Sequence, residues 1–401
     1  MTNIVVQFGY NLFKKRQTMA RIKPNAKQQE AIDNLNGQIM LLAGPGTGKT
    51  FTLIQRIEKM LAQGIEPSSI LCLTFSDAAA TEMKQRLTKK MGILASSVDI
   101  YTYHSFCNDV IKLYPQQFSL GVGVRLITET EKIQIMKECI DEANLKFFVP
   151  NRADRYFFAK DFIAHVEKLK SQRISKEDYL EKINTNTNLM PRIKLLEIEV
   201  EERLAKGETR NKTRLAEIEK IKTNIEKAKE LWTLYELYSD KMHSHNLIDF
   251  SDMINFVLTA FEEDTVFLRE VSNKYKYFLV DEYQDTNDLQ NEIIFQLLDG
   301  NDEKNILVVG DDDQIIYGFQ GANIDNIENF LLRYPETKVI CLNENNRSTQ
   351  SILDFSYEVI KQDNSRLENN KKFKEKNISK KLTAKNQDVI VKDKKIKRLQ
   401  F

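Results

Sequence analysis

Short apolar runs recur along the first part of the chain, and a polar turn follows each of them. Residues 39–42, 70–74 and 99–102 are runs of strand length. Apolar positions spaced three and four residues apart follow the first two runs, which is typical of helices with one buried face. Strands that alternate with amphipathic helices predict an α/β fold, in which helices flank a parallel sheet.

From about residue 109 to about residue 245 the strand pattern stops and charged residues dominate. Residues 195–204 and 215–232 carry apolar positions three and four apart, which predicts two antiparallel helices with a narrow apolar seam. Their many Lys and Arg residues alternate with Glu, which favours a solvated face over a surface that binds phosphates. We therefore expect an all-helical insertion in the α/β domain.

Strand-like runs resume at residues 277–280, 306–309 and 339–342. The expected organisation has four parts: an N-terminal extension (1–22), a discontinuous α/β domain (23–108 and 246–338), the helical insertion (109–245), and the start of an incomplete second α/β domain with a Lys-rich tail (339–401). For that tail, a solvated segment or an unpaired strand is expected over a basic DNA-binding segment.

The sequence AGPGTGKT lies between the first predicted strand and the first predicted helix. Three glycines in such a loop allow backbone N–H groups to face a polyphosphate, a lysine can reach the β- and γ-phosphates, and a threonine hydroxyl can ligate Mg²⁺. A flexible glycine turn would not explain why GKT opens a helix. The predicted nucleotide-binding residues are Ala43, Gly44, Pro45, Gly46, Thr47, Gly48, Lys49 and Thr50.

Carboxylates and amides follow the later strands. Asp281 at the tip of the strand 277–280 is suited to hold Mg²⁺, and Glu282 to orient and deprotonate water, although paired carboxylates are also common where helices begin. Gln314, after the strand 306–309, can contact a γ-phosphate. Arg347 could stabilise transition-state charge as an arginine finger does, although alone it would be an ordinary surface residue.

Other side chains predict recognition of bases. Gln28 precedes the phosphate loop by one helix, and its amide suits the polar edge of adenine. Phe75 and Phe106 follow two neighbouring strands beside hydroxyl groups; each alone would be a core residue, but together they favour a platform for stacked bases.

Composition adds little to this picture. The 59 Lys and Arg residues nearly cancel the 58 Asp and Glu residues, so net charge does not identify a partner. Four widely spaced cysteines without a CxxC pair predict buried, reduced thiols. Without an apolar run of membrane-spanning length or a signal peptide, we expect a soluble, cytoplasmic protein and no membrane partner.

Eight stretches in family order, within about residues 23–370, resemble the UvrD/Rep (PcrA-like) family of superfamily 1 DNA helicases. Besides the Gln28 segment and AGPGTGKT, they are LTFSDAAATEM, TYHSF, LIDFSDM, VDEYQDTNDLQ, VGDDDQIIYGFQGA and NRSTQSIL. The resemblance implies a RecA-like P-loop NTPase domain with a helical insertion. It also implies ATP-driven movement along single-stranded DNA and unwinding with 3′ to 5′ polarity at duplex–single-strand junctions.

The resemblance also implies residue roles. Gln28 would read adenine, and ATP and Mg²⁺ would be served by Lys49, Thr50, Asp281, Glu282, Gln314 and Arg347. The DNA track would be lined by Phe75, Thr102, His104, Ser105, Tyr317 and Phe319.

The sequence departs from the family pattern at four positions. Many relatives have arginine where this chain has Phe51, Gly318 and Gln320, and an aromatic residue where it has Asn346. Relatives also continue into a complete second motor domain, so we expect this chain to be an N-terminal half with slow hydrolysis of its own. Two alternatives remain open. One is a non-catalytic module that binds ATP and DNA; the other is a subunit completed by a separately encoded C-terminal half.

Overall fold

The structure is a computed structural model that describes residues 23–118, 123–148, 154–183, 189–205, 212–315, 324–363 and 366–385. The chain divides into two compact units, which are Met1–Leu113 with Val257–Phe401, and Tyr114–Phe256. We call them the α/β unit and the helical unit.

The helices and strands are numbered here in chain order. The helices are α1 (Ala26–Asp33), α2 (Lys49–Ala62), α3 (Asp77–Met91), α4 (Tyr103–Leu113), α5 (Glu129–Glu142), α6 (Ala159–Gln172), α7 (Lys176–Glu181), α8 (Leu189–Ala205), α9 (Lys212–Ser244), α10 (Phe250–Glu263), α11 (Thr265–Asn273), α12 (Asp288–Asp299), α13 (Ile324–Arg333) and α14 (Gln350–Ile360). The strands are β1 (Gln38–Ala43), β2 (Ile70–Thr74), β3 (Asp99–Thr102), β4 (Arg125–Leu126), β5 (Leu247–Ile248), β6 (Tyr277–Val280), β7 (Ile306–Gly310), β8 (Lys338–Leu342), β9 (Glu344–Asn345) and β10 (Thr383–Ala384).

The centre of the α/β unit is a six-stranded sheet with the order β3-β2-β6-β7-β1-β8. Every strand pair in it is parallel. Strands β2, β6 and β7 are buried at every position, which is why their sequences are continuous apolar runs. Parallel strands end at the same edge of a sheet, so the polar residues that follow them are brought together.

The last strand of this sheet corrects the expected domain division. Strand β8 pairs with β1, with Leu41 opposite Ile340, because its apolar residues complete the sheet on the outer side of β1. The described residues after 338 therefore group with the α/β unit. The helical unit begins at Tyr114 and ends at Phe256, later than expected at both ends.

Helices cover the sheet by burying one face each. Leu53, Ile57 and Met60 of α2 are fully buried against the strands, as the helical spacing predicts. In α3 the sequence spacing predicts a buried stripe of Ala79, Met83 and Leu87; Met83 and Leu87 are buried with Ala80, whereas Ala79 lies partly exposed. The expected α/β fold with helices flanking a parallel sheet is thus confirmed.

The helical unit contains the predicted pair of long helices, α8 and α9. Ile193 and Leu196 of α8 pack with Ile218, Ile221 and Ile225 of α9 in one apolar cluster. Two residues of the expected seam lie outside it, since Leu195 and Leu215 are about half exposed at 56% and 52%. A second cluster joins α5, α6 and the C-terminal part of α9.

Two expectations from composition can be compared with the structure. Cys72, Cys107 and Cys139 are buried free thiols, and Cys341 is half-buried. Across the described ranges, the helices are too short or too polar to traverse a lipid bilayer. The extension at 1–22 and the apolar run at 389–391 lie outside the described residues.

Candidate functional site

The phosphate loop connects β1 to α2 at the carboxyl edge of the sheet. The Thr47 hydroxyl donates a hydrogen bond to the Gly44 carbonyl oxygen (2.7 Å), and Gln28 Nε2 donates to the Thr47 carbonyl (2.8 Å). Gly48 has a φ of 92° and immediately precedes α2. The loop is therefore held in a curved form at a helix N-terminus, where backbone N–H groups favour an anion.

Two glycines are required by close approaches as well as by their positive φ. A Cβ atom on Gly48 would lie 2.7 Å from Gln28 Nε2, and one on Gly46 would lie 2.6 Å from the Cβ of Arg347. Gly46 also has a φ of 76°, which side chains rarely adopt. The loop is thus packed tightly against α1 on one side and the Arg347 segment on the other.

Gln28 is built into the start of α1 through a capping box. Its backbone N–H donates to Asn25 Oδ1 (2.8 Å), and its Oε1 accepts from the Asn25 N–H (3.0 Å). Because Nε2 donates to the Thr47 carbonyl, the nitrogen and the oxygen of this buried amide each have one protein partner. An amide has two donor hydrogens and two acceptor lone pairs, so one of each is left for a ligand.

A chain of polar contacts leads from the phosphate loop to the neighbouring strands. Lys49 Nζ lies 2.6 Å from Glu282 Oε2, which also accepts from Gln284 Nε2 (2.8 Å). The other end of that amide, Gln284 Oε1, accepts from the Asp311 N–H (3.0 Å). Gln284 is almost completely buried and therefore fixes the ends of β6 and β7 relative to one another.

Glu282 itself occupies an unusual backbone conformation, with a φ of 48°. Left-handed conformations cost free energy in residues with side chains and are concentrated at functional sites. Beside it, burial and then the Glu282 carboxylate raise the pKa of Asp281 to about 7, while Lys49 acts in the opposite direction. Burial and Glu282 likewise raise the pKa of Asp285 to about 6. The edge of β6 thus holds more negative charge than Lys49 neutralises.

Gln314 and Arg347 approach the loop from β7 and β9. Gln314 Nε2 donates to Asp311 Oδ2 (2.7 Å). The Asn346 N–H donates to the Gly46 carbonyl (2.9 Å), and Asn345 Nδ2 donates to the Pro45 carbonyl. Asn345 Oδ1 in turn accepts from the Arg347 N–H (2.8 Å), so the Arg347 backbone is fixed against the phosphate loop.

The residues expected to line a DNA track fall into three groups. Phe75 (36% exposed), His104 and Ser105 lie at least partly exposed where β2 and β3 end. Thr102 is buried, and its hydroxyl is hydrogen-bonded to Ser105. It donates to Ser105 Oγ (2.9 Å) and accepts from the Ser105 N–H (3.3 Å). Tyr317 and Phe319 lie outside the described residues.

Phe106 does not join Phe75 on a stacking platform. Its ring is fully buried between Tyr101 and Tyr275, with centroids 6.5 Å and 6.3 Å away. The sequence pattern of an aromatic residue after a strand does not distinguish these two cases, because α4 begins at once and turns Phe106 inwards.

One group of charged residues was not expected from the sequence. The carboxylate oxygens of Asp311, Asp312 and Asp313 lie within 4.8 Å of one another, a spacing that would suit a cation. The Lys380 ammonium group fills this position, although the Lys-rich tail to which it belongs was expected to be solvated. Burial disfavours its charged form, but the three carboxylates outweigh burial and raise the pKa of Lys380.

Comparisons with known proteins agree with this geometry. Residues 24–335 match the sequence profile of the UvrD/REP helicase N-terminal domain. The chain is 30% identical over 343 residues to proteins named ATP-dependent DNA helicase PcrA from Staphylococcus epidermidis and from Staphylococcus aureus. The matched part covers 85% of this chain and 40% of each relative, so the chain spans less than half of their length. The chain belongs to the UvrD/REP helicase family, whose N-terminal domain occupies residues 24–335.

Proposed function

We propose that this chain binds ATP with Mg²⁺, hydrolyses it, and uses the hydrolysis to move along single-stranded DNA. The observation that carries the proposal is the contact of Lys49 with Glu282 beside the phosphate loop (2.6 Å). It joins the residue type that binds a γ-phosphate to the residue type that activates water. The name of the PcrA relatives, ATP-dependent DNA helicase, supports the same activity.

ATP would lie across the N-terminus of α2. The residues from Ala43 to Gly48 would surround the phosphates, and Lys49 would contact the β- and γ-phosphates. The remaining donor and acceptor of Gln28 would meet the polar edge of adenine. Gln314 and Arg347 would approach the γ-phosphate from the β7 and β9 sides, where Arg347 would stabilise the charge of the transition state.

A residue at the start of α2 and a residue after β6 fit a magnesium ion. The Thr50 hydroxyl and the Asp281 carboxylate are the hard oxygen ligands that Mg²⁺ prefers. A raised pKa for the buried Asp281 also indicates a site that lacks positive charge, which a divalent cation would supply. When bound, the ion would neutralise charge on the β- and γ-phosphate oxygens.

Hydrolysis would begin by separating Lys49 from Glu282. A γ-phosphate offers Lys49 a second anionic partner, and the Glu282 carboxylate would then be free to accept a proton. The oxygen of the attacking water forms a bond to the γ-phosphorus while the bond to the oxygen of the departing ADP breaks. The water proton passes to Glu282, which is 34% exposed and so accessible to water.

Single-stranded DNA would pass the ends of β2 and β3. The Phe75 ring would stack on a base, and His104 and Ser105 would contact the backbone, as Tyr317 and Phe319 would from the β7 side. Thr102 would act through Ser105, whose hydroxyl it holds. Preference for duplex–single-strand junctions and 3′ to 5′ polarity follow from the family resemblance.

The test is ATP hydrolysis with Mg²⁺ in the presence and absence of single-stranded DNA. We expect DNA to stimulate the rate, and Glu282→Gln to lower the stimulated rate by roughly 10²- to 10⁴-fold because the general base is lost. Nucleotide binding should persist in this variant. Glu336→Gln, at an exposed glutamate, is the matched control.

Two results would contradict the proposal. One is a wild-type rate that DNA does not change; the other is a Glu282→Gln variant as active as the control. A strand-displacement assay with 3′-tailed and 5′-tailed duplexes then measures polarity.

An exposed apolar stripe on α14 favours a second candidate, an ATP- and DNA-binding half that is completed by a separate C-terminal polypeptide. Ile352, Phe355 and Val359 are 56%, 73% and 66% exposed, which is typical of a surface that another chain covers. This candidate predicts that the C-terminal part of a staphylococcal relative, added in trans, restores DNA-stimulated hydrolysis. Phe355→Asp should abolish the restoration, and no effect of the added polypeptide would exclude it.

A further inference from the structure

Lys380 is a charged residue whose side chain is largely buried within the α/β unit. Its Nζ lies 2.7 Å from an Asp311 carboxylate oxygen, 2.6 Å from Asp312 and 2.8 Å from Asp313, and its side chain is 5% exposed. Arg366 adds a second cation, with Nε and Nη2 at 2.8 Å and 2.9 Å from the two oxygens of Asp313. Three carboxylates on consecutive residues therefore depend on two cations from a later segment.

That segment, residues 366–385, is fixed at both of its ends. At its start the Leu367 N–H donates to Asp312 Oδ2 (2.9 Å). At its end β10 pairs with β9, and the Ala384 N–H donates to Gln350 Oε1 (2.8 Å). Between them, Asn343 Nδ2 donates to the carbonyls on either side of Lys380. The ammonium group is therefore held in place by the backbone.

Asp311 connects Lys380 to the residues assigned above to ATP. Its other carboxylate oxygen accepts from Gln314 Nε2, and its backbone N–H donates to Gln284. Gln284 donates in turn to Glu282. Two contacts thus separate the Lys380 ammonium from a γ-phosphate sensor, and a continuous set of hydrogen bonds reaches the general base.

Removing the ammonium would alter this geometry through repulsion. Asp311 and Asp312 are buried, so their charges are poorly screened, and adjacent like charges in such a place move apart or take up protons. Either response changes the Asp311 carboxylate, which accepts the hydrogen bond from Gln314. Nucleotide affinity, by contrast, would depend mainly on the phosphate loop and Gln28. Within the described residues, no hydrogen bond or ion pair joins Lys380 to either of them.

We infer that Lys380 is a positioning residue for ATP hydrolysis, which sets Gln314 and Glu282 through Asp311. This inference rests on the proposed function and assigns a role to a residue beyond the matched domain at 24–335. It also makes segment 366–385 a part of the ATPase site and not a peripheral tail.

The experiment compares Lys380→Met, Lys380→Arg and the control Lys371→Met, which removes an exposed lysine of the same segment. DNA-stimulated hydrolysis gives kcat and KM, and a fluorescent ATP analogue gives the Kd. We expect Lys380→Met to lower kcat roughly 10- to 100-fold, with KM and Kd within about threefold of wild type. Lys380→Arg should recover most of kcat because it restores the positive charge.

The outcomes separate this inference from the proposed function. If wild type and the control hydrolyse ATP but Lys380→Met keeps their kcat while its Tm falls, the role is structural and the inference is wrong. Equal losses in both lysine-to-methionine variants would also overturn it.

If wild type hydrolyses no ATP, the proposed function fails first. Hydrogen exchange in residues 311–315 with the ATP analogue bound then tests Lys380 alone. Faster exchange in Lys380→Met than in Lys380→Arg supports the positioning role, and equal exchange overturns it.

Discussion

At the scale of single residues, a lysine and a glutamate of the candidate site form an ion pair with one another. Lys49 and Glu282 neutralise one another at 2.6 Å, with the lysine side chain 11% exposed and the glutamate 34% exposed. Both groups therefore lie at the N-terminus of α2, beside the phosphate loop, before any nucleotide binds. In the proposed reaction the lysine exchanges one anion for another, so the same contact would make activation of Glu282 dependent on phosphate.

The pKa of Asp285 allows a pH-dependent test of the excess negative charge after β6. Its pKa rises from an ordinary 3.8 to about 6, chiefly through burial and Glu282, and its Oδ1 has no hydrogen-bond partner within the described part of the chain. A raised pKa means that the folded protein binds the proton more tightly. Stability from this group is therefore present at low pH and is lost as pH rises from about 4 through about 6.

We expect Asp285→Asn to raise the free energy of unfolding by about 1 kcal/mol at pH 7.5, less than the full pKa shift implies because the side chain is partly exposed. The gain should shrink as pH falls to 4.5. Urea unfolding at the two pH values measures it. A variant less stable than wild type at pH 7.5 would contradict this interpretation.

At the scale of elements, a buried arginine joins the first two helices. Arg56 of α2 is 1% exposed and donates to the carbonyl oxygens of Ala31, Asn34 and Leu35 at the end of α1. Burial lowers its pKa to about 10, so it remains charged at neutral pH. Because α1 carries Gln28 and α2 begins at Lys49, Arg56 fixes the helix of Gln28 against the helix that follows the phosphate loop.

Arg56→Met should lower the free energy of unfolding by about 2 to 4 kcal/mol, because one buried carbonyl and two partly buried carbonyls lose their donor. The control in the same helix is Lys59→Met, which removes a partly exposed pair with Asp33 and should cost less than about 1 kcal/mol. Urea unfolding of both variants gives the comparison. Equal losses would mean that the carbonyls of α1 find other donors.

The elements also show what a sequence can and cannot predict. Strands β2, β3 and β6 begin and end where the sequence pattern places them, because continuous apolar runs and polar turns are local signals. The place of β8 is different, since its residues predict a strand but not its partner. Lys380 gave no signal at all, because it lies in a Lys-rich segment and its three partners are distant in sequence.

Near the phosphate loop, too, some residues give a local sequence signal and others do not. The loop, Asp281 and Glu282 were recognisable from residue type and spacing. Gln284 and Asn345 were not, because their importance lies in hydrogen bonds to backbone groups of other strands. Phe75 and Phe106 looked alike in sequence and differ in burial, which only the packing of α4 decides.

At the scale of the whole molecule, the candidate site residues that the structure describes all lie in the α/β unit. A bound nucleotide stabilises only the state to which it binds, by about 2.7 kcal/mol at 100 times its Kd. We therefore expect a non-hydrolysable ATP analogue with Mg²⁺ to slow hydrogen exchange up to roughly 100-fold in the most protected amides of β1, β6 and β7.

Exchange in α5, α6 and α9 of the helical unit should change little under the same conditions. Lys49→Ala, which cannot hold the phosphates, should remove the protection and serves as the control. Uniform protection of both units, or protection that survives in Lys49→Ala, would place nucleotide binding elsewhere.

The sheet order has a consequence for synthesis of the protein. Strand β1 is translated before the helical unit, yet both of its neighbours, β7 and β8, are made only after that entire unit. Until residue 310 has emerged, both edges of this apolar strand are open, and one edge stays open until residue 342, which invites aggregation and chaperone binding. Such distant pairing also folds slowly. The phosphate loop is thus translated before the helical unit, and the sheet that supports it is complete only after β8, so the proposed nucleotide would assist folding only once translation has passed β8.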